Sequence, residues 1–166
     1  MRKLFSVILI LAIVLIPISS LASPAPLALK GKAVYVPDDV EAELVSLDLF
    51  FRIRTGFTSV NTSMVLKNPN DEETMALRLG VPVHINTVSK VRDLSISSGG
   101  KTIKAIQRSS LKKPPTGREV DIKSWYAFDL TLEPGESKVV SCSFVYDNLI
   151  EADGSETLSY PLGIIK

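Results

Sequence analysis

The chain is poor in the residues that build metal sites, disulfide frameworks and nucleic-acid surfaces. Its 166 residues include one Cys and one His, so it cannot by itself form a Cys/His zinc site or an intramolecular disulfide. Its 19 Lys and Arg residues are balanced by 18 Asp and Glu residues, whereas a nucleic-acid-binding domain normally has a clear basic excess. We therefore expect no nucleic-acid partner, no metal and no other cofactor.

Helical patterns and repeats are also missing from most of the chain. Beyond residue 22, no segment shows a convincing amphipathic helix and no repeat has a fixed period. Aromatic residues make up 7% of the chain, with 10 prolines and 9 glycines. This composition excludes collagen, coiled coil and low-complexity disorder.

The N-terminal residues show the pattern of a secretory signal peptide. Arg2 and Lys3 form a positively charged N-terminal region, and residues 4–16 form an apolar segment. Small residues, Ser20 and Ala22, then occupy the positions expected before a cleavage site. We predict cleavage after Ala22, so that residues 1–22 are a signal peptide and the mature chain is secreted, periplasmic or bound to the cell envelope. In the alternative, the same run stays uncleaved as an anchor, which would be the chain's only membrane contact.

The remaining chain has the sequence pattern of a β protein. After an extended, loosely held leader at residues 23–37, apolar and polar residues alternate over 43–54 and 57–67. Further strands are predicted over 74–83, 88–96, 101–107, 125–132 and 139–147. Turn signals such as Asn68-Pro69 separate these strands. The pattern predicts an all-β fold, an immunoglobulin-like antiparallel β-sandwich at residues 38–166.

The two late strands carry the clearest alternation. Phe128 belongs to the apolar face of the first, and Cys142 and Phe144 to the apolar face of the second. The proline-glycine turn at 133–136 predicts that they form a hairpin. Cys142 is then a buried, unreactive thiol. Residues after this hairpin are either a natural last strand or a truncated continuation.

The sequence gives little support for a catalytic site or a metal site. A hydrolase would need His84 beside a serine or Cys142, or else a pair of carboxylates. No serine lies in a Gly-x-Ser-x-Gly motif, and nothing selects one carboxylate pair. Neither the acidic residues before the first long strand nor those at 153–156 follow a calcium-loop pattern. We therefore predict no catalytic residue and no metal ligand.

A basic stretch is the main candidate for binding. Arg108, Lys112, Lys113 and Arg118 lie in the longest region without strand periodicity. Aromatic residues are absent between Gln107 and Ser124, so the stretch offers no platform for stacking bases. We interpret these four residues as a candidate interaction loop.

Two stretches of the chain share a distinctive pattern of strand ends and turns. In the first, Val65-Leu66-Lys67-Asn68-Pro69 ends a strand, an acidic turn follows, and Leu79-Gly80-Val81-Pro82 ends the next strand. In the second, Trp125-Tyr126-Ala127-Phe128 is followed by Leu132-Glu133-Pro134-Gly135-Glu136 and an aromatic-rich strand. Together these stretches resemble a domain of unknown function found in secreted bacterial proteins. The opening half is also similar in pattern to the inter-alpha-trypsin-type domain. The resemblance covers roughly residues 40–160, implies an exported sandwich and assigns no catalytic residue.

Three functional hypotheses remain. In the first, the chain is a non-enzymatic module of the cell envelope that contacts another envelope or secreted protein through the basic loop or an unpaired edge strand. The second is a small exported hydrolase that uses His84 or a carboxylate pair. The third is a carbohydrate-binding module that presents Trp125, Tyr126 or Tyr35 on an exposed platform.

Overall fold

The computed structural model is all-β, as the sequence predicts. It describes residues 24–37, 40–83, 91–112 and 122–157. Within these ranges, no helix is long and apolar enough to cross a membrane. The predicted signal peptide, His84 and the last residues of the chain lie outside the described ranges.

The larger sheet has five strands, and its long strands follow the alternation seen in the sequence. Their order across the sheet is β4-β5-β11-β7-β8, and all of these pairs are antiparallel. The bounds are β4 (Glu43–Arg54), β5 (Phe57–Lys67), β7 (Val91–Ser98), β8 (Lys101–Thr102) and β11 (Ser137–Asp147). The period-two patterns thus locate β4 and β5 to the residue.

The second sheet has four strands in the order β1-β6-β10-β9. Its bounds are β1 (Ala25–Pro26), β6 (Met75–Pro82), β9 (Ile106–Ser109) and β10 (Ser124–Leu132). Two small hairpins complete the described fold, formed by β2 (Ala28–Lys30) with β3 (Ala33–Tyr35) and by β12 (Leu149–Ile150) with β13 (Glu156–Thr157).

The main core lies between the two sheets. It takes Val60, Met64 and Phe144 from the larger sheet and Leu79 and Phe128 from the smaller one, each 3% exposed or less. Burial of large apolar side chains stabilises such a core by about 1.5–3 kcal/mol each. The predicted antiparallel β-sandwich is therefore confirmed.

Two connections cross from one sheet to the other at the same end of the sandwich, and a buried asparagine joins them. The Asn68 amide group donates to the carbonyl of Glu73 at 2.8 Å and also to the carbonyls of Leu132 and Glu133. Its Oδ1 accepts the Asn70 amide at 3.0 Å. Asn68 is fully buried, so these partners satisfy an amide that would otherwise destabilise the fold.

The predicted hairpin of the two late strands is wrong. The turn at 133–136 leads from β10 in the smaller sheet to β11 in the larger one. The apolar faces of these strands do meet, since Phe128 and Phe144 share one core, but across the sandwich instead of along one sheet. The turn sequence is compatible with either connection.

The N-terminal segment, residues 25–36, is not a loose leader. Ala25 and Pro26 pair with Leu79 and Gly80 of β6, and the amide of Leu111 donates to the carbonyl of Val34 at 2.8 Å. The segment covers the outer face of the four-stranded sheet and forms a second apolar cluster there. The cluster comprises Ala25, Leu27, Val34, Val36, Ile122, Trp125 and Ala127.

Candidate functional site: the β4 edge

Strand β4 is a long strand at the end of its sheet. It pairs with β5 over its whole length, and among the described residues no strand pairs with its other side. An edge strand of this kind presents a row of backbone N–H and C=O groups that a further strand can use. We call β4 from Ser46 to Arg54 the open edge.

The apolar side chains of the open edge are only partly covered. Leu47, Leu49 and Phe51 point between the sheets and pack against the core, yet stay half-buried. The facing sheet ends at β1, which has only two residues, so little backbone lies opposite them. Phe50 and Ile53 are 57% and 63% exposed. Exposed apolar groups along an edge strand are typical of an interaction site.

Two local features limit the open edge. The register with β5 shifts between Leu44 and Ser46, which places a bulge at Val45. Bulges interrupt pairing and bend a strand. At the other end, Arg54 pairs with Phe57 and the chain turns at Thr55-Gly56. Between these limits the ladder is regular from Ser46 to Arg54.

A polar cluster fixes the turn at the end of β4. The backbone amide of Gly56 donates to both carboxylate oxygens of Glu156, at 3.0 and 2.9 Å. The side-chain amide of Asn148 donates to the carbonyl of Arg54 at 2.9 Å and to Glu156 Oε2 at 2.7 Å, and Thr58 Oγ1 donates to Asn148 Oδ1. The hydrogen bonds from Asn148 and Gly56 lower the pKa of Glu156. The cluster therefore holds the open edge in place at its C-terminal end.

The outer face of the five-stranded sheet adjoins the open edge and is polar. Its side chains form two rows of small groups across β4, β5, β11 and β7, around a shallow depression of about 300 Å³. One row is Asp48, Ser63, Ser141 and Ser97, and the next is Phe50, Asn61, Ser143 and Ser95. A polar outer face is common where an antiparallel sheet meets water. Phe50 is the large apolar exception in these rows.

The predicted interaction loop is only partly within the described chain. Arg108 is half-buried on β9, where it pairs with Trp125, and Lys112 is exposed. Lys113 and Arg118 lie outside the described residues. The structure therefore leaves the loop a prediction, and Arg108 belongs to a strand of the smaller sheet.

The structure describes only one of the two residues that the sequence named for catalysis. Cys142 faces the core, and its burial raises the pKa of the thiol to about 12, so the reactive thiolate is disfavoured. His84 lies outside the described residues. No group of three or more His, Cys, Asp or Glu side chains within the described ranges could hold a metal ion.

The exposed aromatic platform predicted at Trp125 is wrong. The indole is fully buried beneath the N-terminal segment, and its Nε1 donates to Ser110 Oγ at 2.9 Å. Tyr126 and Tyr35 are half-buried on different sheets. Alternation assigned Trp125 correctly to the face opposite Phe128, but it could not show that another segment covers that face.

Comparison with known proteins finds a likeness in fold. No protein-family model matches the chain, and no curated protein matches it in sequence. The fold is similar to a crystal structure whose description proposes a nutrient-binding protein from Legionella pneumophila subsp. pneumophila str. Philadelphia 1, with a TM-score of 0.59 and 13% identity. The likeness shows the fold. It covers 70% of this chain and 42% of the other, so this chain spans less than half of the neighbour's length.

The sequence suggested an unpaired edge strand as a contact element but did not show which strand it is. The alternation over residues 43–54 predicted the strand itself, and a signal for its exposed apolar contact is Phe50, which is an apolar residue among the polar positions Asp48, Arg52 and Arg54. What the sequence did not show is the order of strands across the sheet, which decides that β4 lies at the end. That order depends on the distant pairing of β5 with β11.

Proposed function

We propose that this chain is an exported, non-enzymatic β-sandwich of the cell envelope that acts by protein contact, with the open edge as its contact element. The observation that carries the proposal is a regular edge strand with a free backbone side and exposed apolar side chains at Phe50 and Ile53. Strand addition to such an edge combines backbone hydrogen bonds with side-chain contacts.

Other observations support a binding role. The thiol of Cys142 is enclosed in the core, where it is not accessible as a nucleophile. The description of the neighbour of similar fold proposes nutrient binding, which supports a binding role in general and does not name a protein partner. The signal-peptide pattern at residues 1–22 and the resemblance to a secreted domain support export to the envelope.

The open edge is a better-supported contact element than the basic loop. Only its charge supports the basic loop as a contact element, and surface charge favours association without specifying a partner. The open edge offers directional hydrogen-bonding groups and apolar contacts together, and its end is fixed by the cluster around Glu156. A rigid, preorganised element loses less entropy on binding.

Site-specific photo-crosslinking in the producing cells tests the proposal. A photoreactive phenylalanine analogue is placed at Phe50 or Ile53, and as a matched control at Ile150, which is 62% exposed on β12. We expect discrete crosslinked products from Phe50 and Ile53 and none from Ile150. Absence of products from both β4 positions, or the same products from all three, would contradict the proposal.

A further inference from the structure

We propose that the partner of the open edge is a second copy of this chain, so that two β4 strands pair antiparallel about a two-fold axis at Phe50. This inference rests on the proposed function and names its partner. Pairing would join the two five-stranded sheets into one continuous sheet. A two-fold interface of this kind requires a surface that is complementary to itself.

The first observation is where the open edge begins and ends. Its regular ladder runs from Ser46, next to the bulge, to Arg54, next to the turn. Phe50 lies at the middle of that ladder. An antiparallel pair centred on Phe50 therefore uses the whole regular strand of both copies and places the irregular ends beyond the contact.

The second observation is that the chemistry of the strand is symmetric about Phe50. In a pair with this centre, Asp48 faces Arg52 of the second copy, and Arg52 faces Asp48 of the second copy. On the inner face, Leu49 lies opposite Phe51 and Leu47 opposite Ile53. Opposite charges, and apolar or aromatic pairs, stabilise a sheet when they lie directly across from each other on neighbouring strands.

The third observation is that Asp48 and Arg52 have no ion-pair partner among the described residues, although both are exposed. Four residues of strand separate them by about 13 Å, so they cannot meet within one chain. Ions elsewhere on the sheets do pair across strands: Arg78 Nε lies 2.7 Å from Asp129 Oδ1, and Arg92 Nη2 lies 2.9 Å from Asp147 Oδ1.

The complementarity also favours one register. A centre at Leu49 sets Asp48 against Phe50 and leaves its charge unpaired. A centre at Phe51 sets Asp48 against Arg54 but moves Leu47 opposite the turn residue Thr55. Only the centre at Phe50 sets Asp48 and Arg52 opposite a residue of the other charge and also sets apolar residues opposite each other within the regular ladder.

Charge reversal with compensation tests the self-pairing. The assay is sedimentation equilibrium of the protein as purified from producing cells, after any processing of its N-terminus. We expect a dimer that weakens about tenfold in Asp48→Arg or Arg52→Asp, because each change sets two like-charged pairs face to face. The double variant should dimerise like the original. A mixture of the two single variants should form a heterodimer, because one variant has only basic groups at these two positions and the other only acidic groups.

Disulfide trapping tests the register in a Cys142→Ala background. Phe50→Cys should form a linked dimer under mild oxidation, because the two cysteines face each other at the axis, whereas the control Ile106→Cys on β9 should not. Monomeric protein at all concentrations, or a dimer that both charge reversals leave unchanged, would overturn the self-pairing. A crosslink from Phe50 to a different protein would overturn it and keep the proposed function, while no crosslink at all would overturn both.

Discussion

Among single residues, Cys142 is one for which the proposed export and the packing favour different states of the thiol. Exported proteins usually pair their cysteines, but this thiol has no second cysteine in the chain and is enclosed in the core. Its neighbours across the sheet are Thr62 and Ile96. The core position removes the thiol from oxidants and leaves it to act as a small apolar group.

We expect thiol reagents to label Cys142 only after unfolding. Burial raises the pKa of the Cys142 thiol from 9.0 to about 12. Above pH 9 the thiol therefore ionises in the unfolded chain while it stays protonated in the folded one, and this difference favours unfolding. The unfolding free energy should therefore fall between pH 9 and 12, by about 1.4 kcal/mol per pH unit at most. Denaturation at pH 8 and pH 10 measures this, and Cys142→Ala should show a smaller fall. Fast labelling of the native protein would contradict the core position.

Phe144 and Ser143 test the register of β11. Phe144 is buried in the core, with its ring centroid 6.5 Å from that of Tyr146, whereas Ser143 lies on the polar outer face. We expect Phe144→Ala to destabilise the protein by about 3–5 kcal/mol, and Ser143→Ala by less than about 0.5 kcal/mol. Chemical denaturation of both variants gives the comparison, and equal effects would show that the strand faces are misassigned.

At the scale of elements, the N-terminal segment is the part of the fold that the sequence described least well. Its prolines and small residues predict extended chain, which is confirmed for β1 to β3. They do not show that Leu27 and Val34 are buried against the four-stranded sheet. Such contacts join residues far apart in sequence, so local patterns cannot reveal them.

Gly80 is the residue that lets the N-terminal segment lie close to β6. A side chain there would collide with the side chain of Leu27 and lie 3.2 Å from Trp125 Cε3. We expect Gly80→Val to destabilise the protein by about 1–3 kcal/mol through overpacking and to make the segment sensitive to proteases. The same change in a Leu27→Ala background should be less destabilising, because the smaller side chain leaves room. Equal losses in both backgrounds, measured by denaturation and limited proteolysis, would argue against this contact.

The strands themselves were easier to predict than their arrangement. Alternation identified β4, β5, β10 and β11 because each strand has one face against the main core and the other face on the outer side of its sheet. The hairpin expected between β10 and β11 was wrong, since a short turn leads equally well to a neighbouring strand or to the facing sheet. Which strand forms the open edge depends on this arrangement, so the sequence could suggest an edge strand as a contact element but could not identify it.

At the scale of the whole molecule, export is the prediction with the simplest test. The charge at Arg2 and Lys3, the apolar run after them and the small residue at Ala22 predict a mature chain that begins at Ser23. N-terminal sequencing of protein from the medium or the periplasm should read Ser-Pro-Ala-Pro. A full-length protein that stays with the membrane fraction would support the uncleaved anchor instead.

The central position of β11 has a consequence for how the molecule assembles. This strand lies between β5 and β7, yet it is made after both of them, because synthesis proceeds from the N-terminus. Until residues 137–147 emerge, β5 and β7 each lack a neighbour on one side, and their pairing with β11 must wait for a large loop to close. The nascent chain therefore passes through an interval with two unsatisfied strand edges, which is when misassembly and aggregation compete most strongly with correct folding.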